Sequence, residues 1–178
     1  AELARTEPDP EIQDLIRGSV GLNLALDYLP GAVTFDPVSS RPEPALASRI
    51  VWFDAFVTNV DRTARNTNML IWHGRLWLID HGAALYFHHA QDGSHLAHSR
   101  GAFPRIRDHV LLPFASALRE VDAEMAARIT PALVERVAAS IPDAWLEEPA
   151  ARPERDARKV YAEYLLSRRE ARQVFVEE

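Results

Sequence analysis

Cysteine is absent from the 178 residues, so the chain can form neither a disulfide nor a thiolate metal site. No stretch approaches the roughly 18 apolar residues of a membrane span, and the first residues lack the basic-then-apolar pattern of a secretory signal. A soluble cytoplasmic protein is the expectation from these absences. Basic residues are in deficit, with 20 Lys and Arg against 26 Asp and Glu and a net charge of −6. That argues against a dedicated nucleic-acid binder, whose affinity needs a basic footprint, although an acidic average leaves room for a local basic site. Lysine occurs once, at Lys159, and no glycine precedes Gly18. Internal repeats and low-complexity tracts are missing as well. The composition is otherwise that of a globular domain, 47% hydrophobic and 26% charged, long enough for one substantial core.

The informative stretch runs from Asp54 to Gly82, where Asp61, Asn66 and Asp80 stand between apolar runs. Such polar groups are costly beside a core unless they are paired or used. Met69 to Trp72 and Leu76 to Ile79 are short β-prone runs separated by His73-Gly74-Arg75, which predicts a tight hairpin. A two-residue turn at His73-Gly74 sets Trp72 opposite Arg75, Leu70 opposite Trp77 and Asn68 opposite Ile79. Asp80 then returns opposite Thr67, beside Asn66, and Asp61 lies five residues before Asn66 on the segment entering the hairpin. The three are expected to line one small pocket, and carboxylate and amide oxygens suit Mg²⁺, which takes one or two protein carboxylates and keeps several waters.

The spacing Asp61-x-x-x-x-Asn66, a hairpin, and then Asp80-His81-Gly82 resembles the catalytic loop and metal-binding turn of the protein-kinase-like superfamily. Asn59-Val60-Asp61-Arg62 with Ile79-Asp80-His81-Gly82 looks more like the HipA-like kinases and, more distantly, the phosphatidylinositol kinases. The run from Gly21 to Gly31 resembles the strand and hinge that join the two lobes in the HipA-like group. The sequence departs from the common pattern at His81, where Phe is usual, and in its Asp61-Arg62 order. These departures favour an atypical kinase and leave the acceptor open.

The resemblance implies an α+β, mostly helical kinase-like C-lobe over 1–178, with a small β-hairpin carrying the metal site. Residues 1–31 would be the end of an N-lobe and the hinge. ATP is the implied nucleotide, held along Asp27, Tyr28 and Leu29 and at Asn66 and Asp80. Asn66 and Asp80 would hold Mg²⁺, and Asp61 would orient an acceptor hydroxyl and take its proton. Arg62 would either screen the transferred phosphate or pair with Asp54 or Asp80. The acceptor, on a protein or a small molecule, is not encoded in any readable way. A catalytically inactive binding scaffold and a nucleotidyl transferase are the alternatives. Kinases of this superfamily carry a Gly-rich loop and a strand lysine upstream of the hinge, and neither occurs before Val20. The expectation is a missing N-lobe and negligible activity from this chain alone.

Elsewhere the pattern predicts a short helix over Glu11–Arg17, a strand over Val20–Tyr28, and a loop over 34–44. A helix from near Glu43 would carry Leu46, Ile50, Phe53 and Val57 on one stripe. Asp54 on it is either an exposed carboxylate or a partner of the loop backbone or Arg62. His88, His89, His95 and His98 fit no standard zinc spacing and are expected to be solvated. Helices are expected over Arg107–Val121, Asp122–Arg128 and Pro131–Ser140, and from Glu154 to about Val174. On the last, Val160, Tyr164 and Leu165 would point inward and Arg155, Arg158, Arg168, Arg169 and Arg172 would form a salt-bridged solvated face.

Overall fold

The computed structural model describes residues 3–85, 95–146 and 156–177, and these fall into two units. The first holds residues up to Leu29 together with 142–146. Its helices are α1 (Leu3–Thr6) and α2 (Pro10–Gly18). Asp9 caps α2 by accepting a hydrogen bond from Glu11 N at 2.9 Å, and Pro10 opens it, where its missing N–H costs nothing. The expected strand over Val20–Tyr28 does not form. Its five alternating apolar residues are all exposed, from 58% at Leu22 to 85% at Tyr28. Alternation satisfies a strand only when a neighbour supplies the ladder, and in this unit Leu22 O receives instead the Trp145 indole N–H, at 2.7 Å.

The second unit, residues 30–141 with 156–177, is built around α3 (Pro44–Phe56). Pro44 stands at its first turn and Val57 closes it. The expected single stripe is too narrow: Ala47, Ser48, Ile50, Val51, Trp52, Asp54, Ala55 and Phe56 are all buried, while Leu46 is exposed. A helix apolar on most sides is a central one. Around it pack α5 (Leu118–Arg128), α7 (Ala157–Glu170) and α8 (Gln173–Val176). Trp52 stacks on Phe56 at 5.4 Å and meets Phe175 edge-on at 5.5 Å, while its indole N–H donates to Asp122 Oδ1 at 2.9 Å. α4 (His95–Ser99) and α6 (Pro131–Ala139) both pack against α7.

Two expectations for the helices are corrected. Arg107–Val121 is not one helix but two 3₁₀ turns, Pro104–Asp108 and Leu112–Phe114, followed by the start of α5. Pro113 cannot donate within a helix and interrupts the pattern. The final helix divides into α7 and α8, and the expected start at Glu154, with Arg155, lies outside the described residues. Tyr164 is buried as expected, but Arg168 is not on a solvated face. It is 1% exposed and donates to Ala55 O, Ser99 O and Gly101 O, with its guanidinium 4.8 Å from the Phe175 ring centroid.

The sheet is small, antiparallel and ordered β1 (Val33–Thr34), β2 (Met69–Trp72), β3 (Arg75–Leu78). Trp72 pairs with Arg75 and Leu70 with Trp77, the register expected from a His73-Gly74 turn. His73 has φ 47° and Gly74 φ 68°, the pair of left-handed residues that a type I′ turn requires. Trp72 and Trp77 meet edge-to-face at 5.6 Å. Thr34 of β1 falls at the start of the stretch expected to be loop. The fold is mixed and mostly helical, with the hairpin leading directly into the candidate site.

Candidate active site

α3 delivers the chain to a non-repetitive loop, and Asp54 near its end organises that loop. The carboxylate is fully buried. Oδ2 accepts from Arg62 Nε at 2.5 Å and from His109 Nε2 at 2.9 Å, and Oδ1 accepts from Asn59 Nδ2 at 3.1 Å. Burial by itself pushes the Asp54 carboxyl up, but the hydrogen bonds from His109 and Arg62 and the Arg62 charge outweigh it, and the group stays below its ordinary value. Asp54 is therefore the partner of Arg62, not an exposed helix carboxylate. Arg62 is 1% exposed and also donates through Nη1 to Asn68 O, while Nη2 lies 3.4 Å from His81 Nδ1. Of the two carboxylates open to Arg62, Asp54 is the one it pairs with.

Asp61, half-buried, sits above this layer. Its backbone N–H donates to Asn59 Oδ1 at 3.1 Å. Its Oδ2 accepts from Asn66 Nδ2 at 2.7 Å and from Asn68 Nδ2 at 3.0 Å, and Oδ1 makes no hydrogen bond among the described residues. The loop closes on itself where Thr63 N donates to Asn66 O at 2.9 Å. Asp61 and Asn66, five residues apart, are thus brought into contact. Asn68 was not singled out from the sequence. It has φ 46°, a conformation Asn tolerates better than most residues, and that tolerance two residues after Asn66 was the available signal.

Ile79 N donates to Asn68 O at 3.0 Å, so the hairpin register holds to that pair. Asp80 follows at φ 48° and leaves the strand. Its side chain is exposed, and Oδ1 accepts from Gly82 N at 3.3 Å. The segment beyond returns along the entry to the loop, with Leu85 N donating to Val57 O at 2.7 Å and Val60 N to Ala83 O at 3.3 Å. The His81 ring meets Phe53 edge-to-face at 6.3 Å and faces Arg62. Asp80 hydrogen-bonds neither Asp61 nor Asn66.

A cleft of about 380 Å³ opens beside Asn66. Met69, Leu70 and Ile79 supply its apolar lining, and Asp36, Arg65 and Thr67 its polar lining. Val38 N–H holds the Asp36 carboxyl below its ordinary value. Asp27, Tyr28 and Leu29 belong to the other unit, the first two exposed and Leu29 half-buried. Lys159 is exposed on α7. His88 and His89 lie outside the described residues, as does the His95 side chain, and His98 is exposed. No group of three His, Asp or Glu side chains able to hold a metal occurs among the described residues. Asn66 falls outside such a group, and its Oδ1, like Asp80 Oδ2, is an oxygen of the hard type Mg²⁺ takes. No helix among the described residues is long and apolar enough to cross a membrane.

A buried Asp–Arg pair thus lies beneath an Asp-x-x-x-x-Asn loop, and a hairpin leads from that loop to an Asp-x-Gly turn. A scan against protein-family models assigns the chain to a kinase family. The HipA-like kinase model matches residues 12–175, and the chain belongs to that family. Searches of the curated proteins and of the solved structures found no match.

Proposed function

We propose that the chain provides the catalytic-loop side of an ATP- and Mg²⁺-dependent phosphotransferase acting on a hydroxyl acceptor. The observation that carries this reading is the asymmetry of Asp61. One carboxylate oxygen is fixed by two amide donors and the other is free of hydrogen bonds among the described residues. A general base needs that arrangement, with one oxygen setting orientation and the other receiving a proton.

Asp61 Oδ1 takes the proton of the acceptor hydroxyl as its oxygen bonds to the γ-phosphorus and the bond from that phosphorus to the β,γ-bridging oxygen breaks, leaving ADP. Asn66 binds Asp61 through Nδ2 and turns Oδ1 outward, so Asn66 and Asp80 are the residues that would hold Mg²⁺. The metal, when bound, supplies charge neutralisation on the β- and γ-phosphates. Met69, Leu70 and Ile79 line a surface suited to an adenine ring, with Arg65 beside it. Arg62 acts from below as a positioning group, because it is buried against Asp54.

Titration calorimetry with ATP, with and without Mg²⁺, tests the reading. Asp80→Ala is expected to abolish Mg²⁺-dependent binding. Asp61→Ala should spare binding and remove any phosphate transfer that the wild-type chain makes to a panel of hydroxyl acceptors, since metal ligation is a ground-state task and proton handling a transition-state one. Equal loss of nucleotide binding in both variants would refute the assigned roles. The mass of the modified acceptor separates phosphate transfer from nucleoside monophosphate transfer.

A further inference from the structure

Asp54 is reached from a part of the chain that carries no motif. His109, between the two 3₁₀ turns, is 55 residues away in sequence and buried. Leu111 N–H donates to its Nδ1 at 3.0 Å, so Nδ1 bears a lone pair and the ring proton resides on Nε2, the nitrogen 2.9 Å from Asp54 Oδ2. The backbone around it is paired with the loop as well. Val110 N donates to Arg62 O at 3.0 Å, and Thr63 bridges His109 in antiparallel fashion.

Two routes run from Asp54 to Asp61. On one, Asn59 bonds Asp54 Oδ1 through Nδ2 and receives the Asp61 backbone N–H on Oδ1. On the other, Arg62 bonds Asp54 Oδ2 through Nε and Asn68 O through Nη1, and Asn68 Nδ2 bonds Asp61 Oδ2. One route fixes the backbone of Asp61 and the other its carboxylate. Both hang on a single buried carboxylate whose third donor is His109.

We propose that His109 is a positioning residue of the candidate site, setting Asp61 through Asp54 by means of its Nε2–H. The idea rests on the phosphotransferase reading only in giving Asp61 its task; the linkage itself is tested without turnover. Two substitutions separate the two ends of the ring. His109→Gln places an amide N–H near the position of Nε2 and gives up the acceptor for Leu111 N–H. His109→Asn places an amide oxygen near Nδ1 and gives up the donor to Asp54.

Amide hydrogen exchange by nitrogen-resolved NMR on the full chain reads the outcome. In His109→Asn the Asp61 N–H is expected to exchange at least tenfold faster, with the Asn66 and Asn68 side-chain amide signals displaced. The Ile71 and Trp77 amides in the hairpin should keep their wild-type rates. In His109→Gln the Asp61 rate should stay within about twofold of wild type. Equal effects of the two substitutions, or an unchanged Asp61 rate in His109→Asn, would overturn the proposal. If His109→Asn does not fold, the wild-type ring decides it: a proton found on Nδ1 rather than Nε2 rules it out, and a coupling from Leu111 N–H to Nδ1 with the proton on Nε2 supports it. Loss of ATP binding in the wild type would count against the phosphotransferase reading and leave these measurements intact.

Discussion

Replacing Asp54 by Ala should be among the most damaging single changes to the folded chain. The carboxylate receives three side-chain donors and is sealed from bulk solvent, and Arg62 beside it is equally buried. Removing one member of a buried ion pair leaves an uncompensated charge and costs about 3–5 kcal/mol. Set against a total stability of about 5–15 kcal/mol for a typical domain, that is a large share. With a urea slope of about 2 kcal/mol per molar, the unfolding midpoint of Asp54→Ala should fall by about 2 M. The double variant Asp54→Leu/Arg62→Met removes both charges, and an apolar pair of similar volume is often tolerated in place of a buried ion pair. Its midpoint should recover most of the loss, well short of the sum of the two single changes. Urea unfolding followed by circular dichroism at neutral pH measures Asp54→Ala, the double variant and its two component single changes. A cost below about 1 kcal/mol for Asp54→Ala, or a double variant as unstable as the sum, would refute the argument.

Acid should erase the difference between wild type and Asp54→Asn. A carboxyl held below its ordinary value of 3.8 contributes stability that is present above that value and lost as pH falls through the lower folded one. The stability gap should therefore hold from neutrality down to about pH 4 and narrow progressively below it; a gap unchanged from pH 7 to pH 3 would contradict this. In the hairpin, Gly74→Ala meets no atom within 4 Å, so its cost is that of the left-handed backbone, about 1–2 kcal/mol. Equilibrium unfolding would show it, and a neutral substitution would mean the turn has changed type.

Legibility in the sequence followed the range of the interaction. The hairpin register was readable because a two-residue turn is decided by His73 and Gly74 themselves. The contact of Asp61 with Asn66 was readable because the loop between them closes locally. β1 was not readable, since two residues carry no periodicity and Val33 and Thr34 become a strand only by pairing with Ile71 and Leu70. The alternating apolar residues from Val20 to Tyr28 misled for the complementary reason: the pattern was present and the ladder was not. Arg168 was read as part of a solvated basic face because its neighbours in sequence are charged. The backbone carbonyls it serves, on Ala55, Ser99 and Gly101, are at least 67 residues away. His109 had no local signal at all, since its partner Asp54 lies 55 residues away on α3.

The tryptophan pair on the hairpin makes this chain its own optical gauge. Trp72 and Trp77 lie edge-to-face at 5.6 Å on strands that lead into Asn68 and Ile79, whereas Trp52 is sealed in the core beside Phe56 and Phe175. Two indoles that close couple their strong far-ultraviolet transitions and give a paired circular dichroism band, whose sign and size depend on the angle between the rings. Trp52 lacks an indole neighbour at that range among the described residues and contributes chiefly to emission. Opening of the hairpin would collapse the paired band while the blue component of the emission, which comes from Trp52, stayed in place, and melting of the core would shift that component to the red. The strand ends beside the candidate site can thus be followed separately from the α3 core, without a label and in a single cuvette.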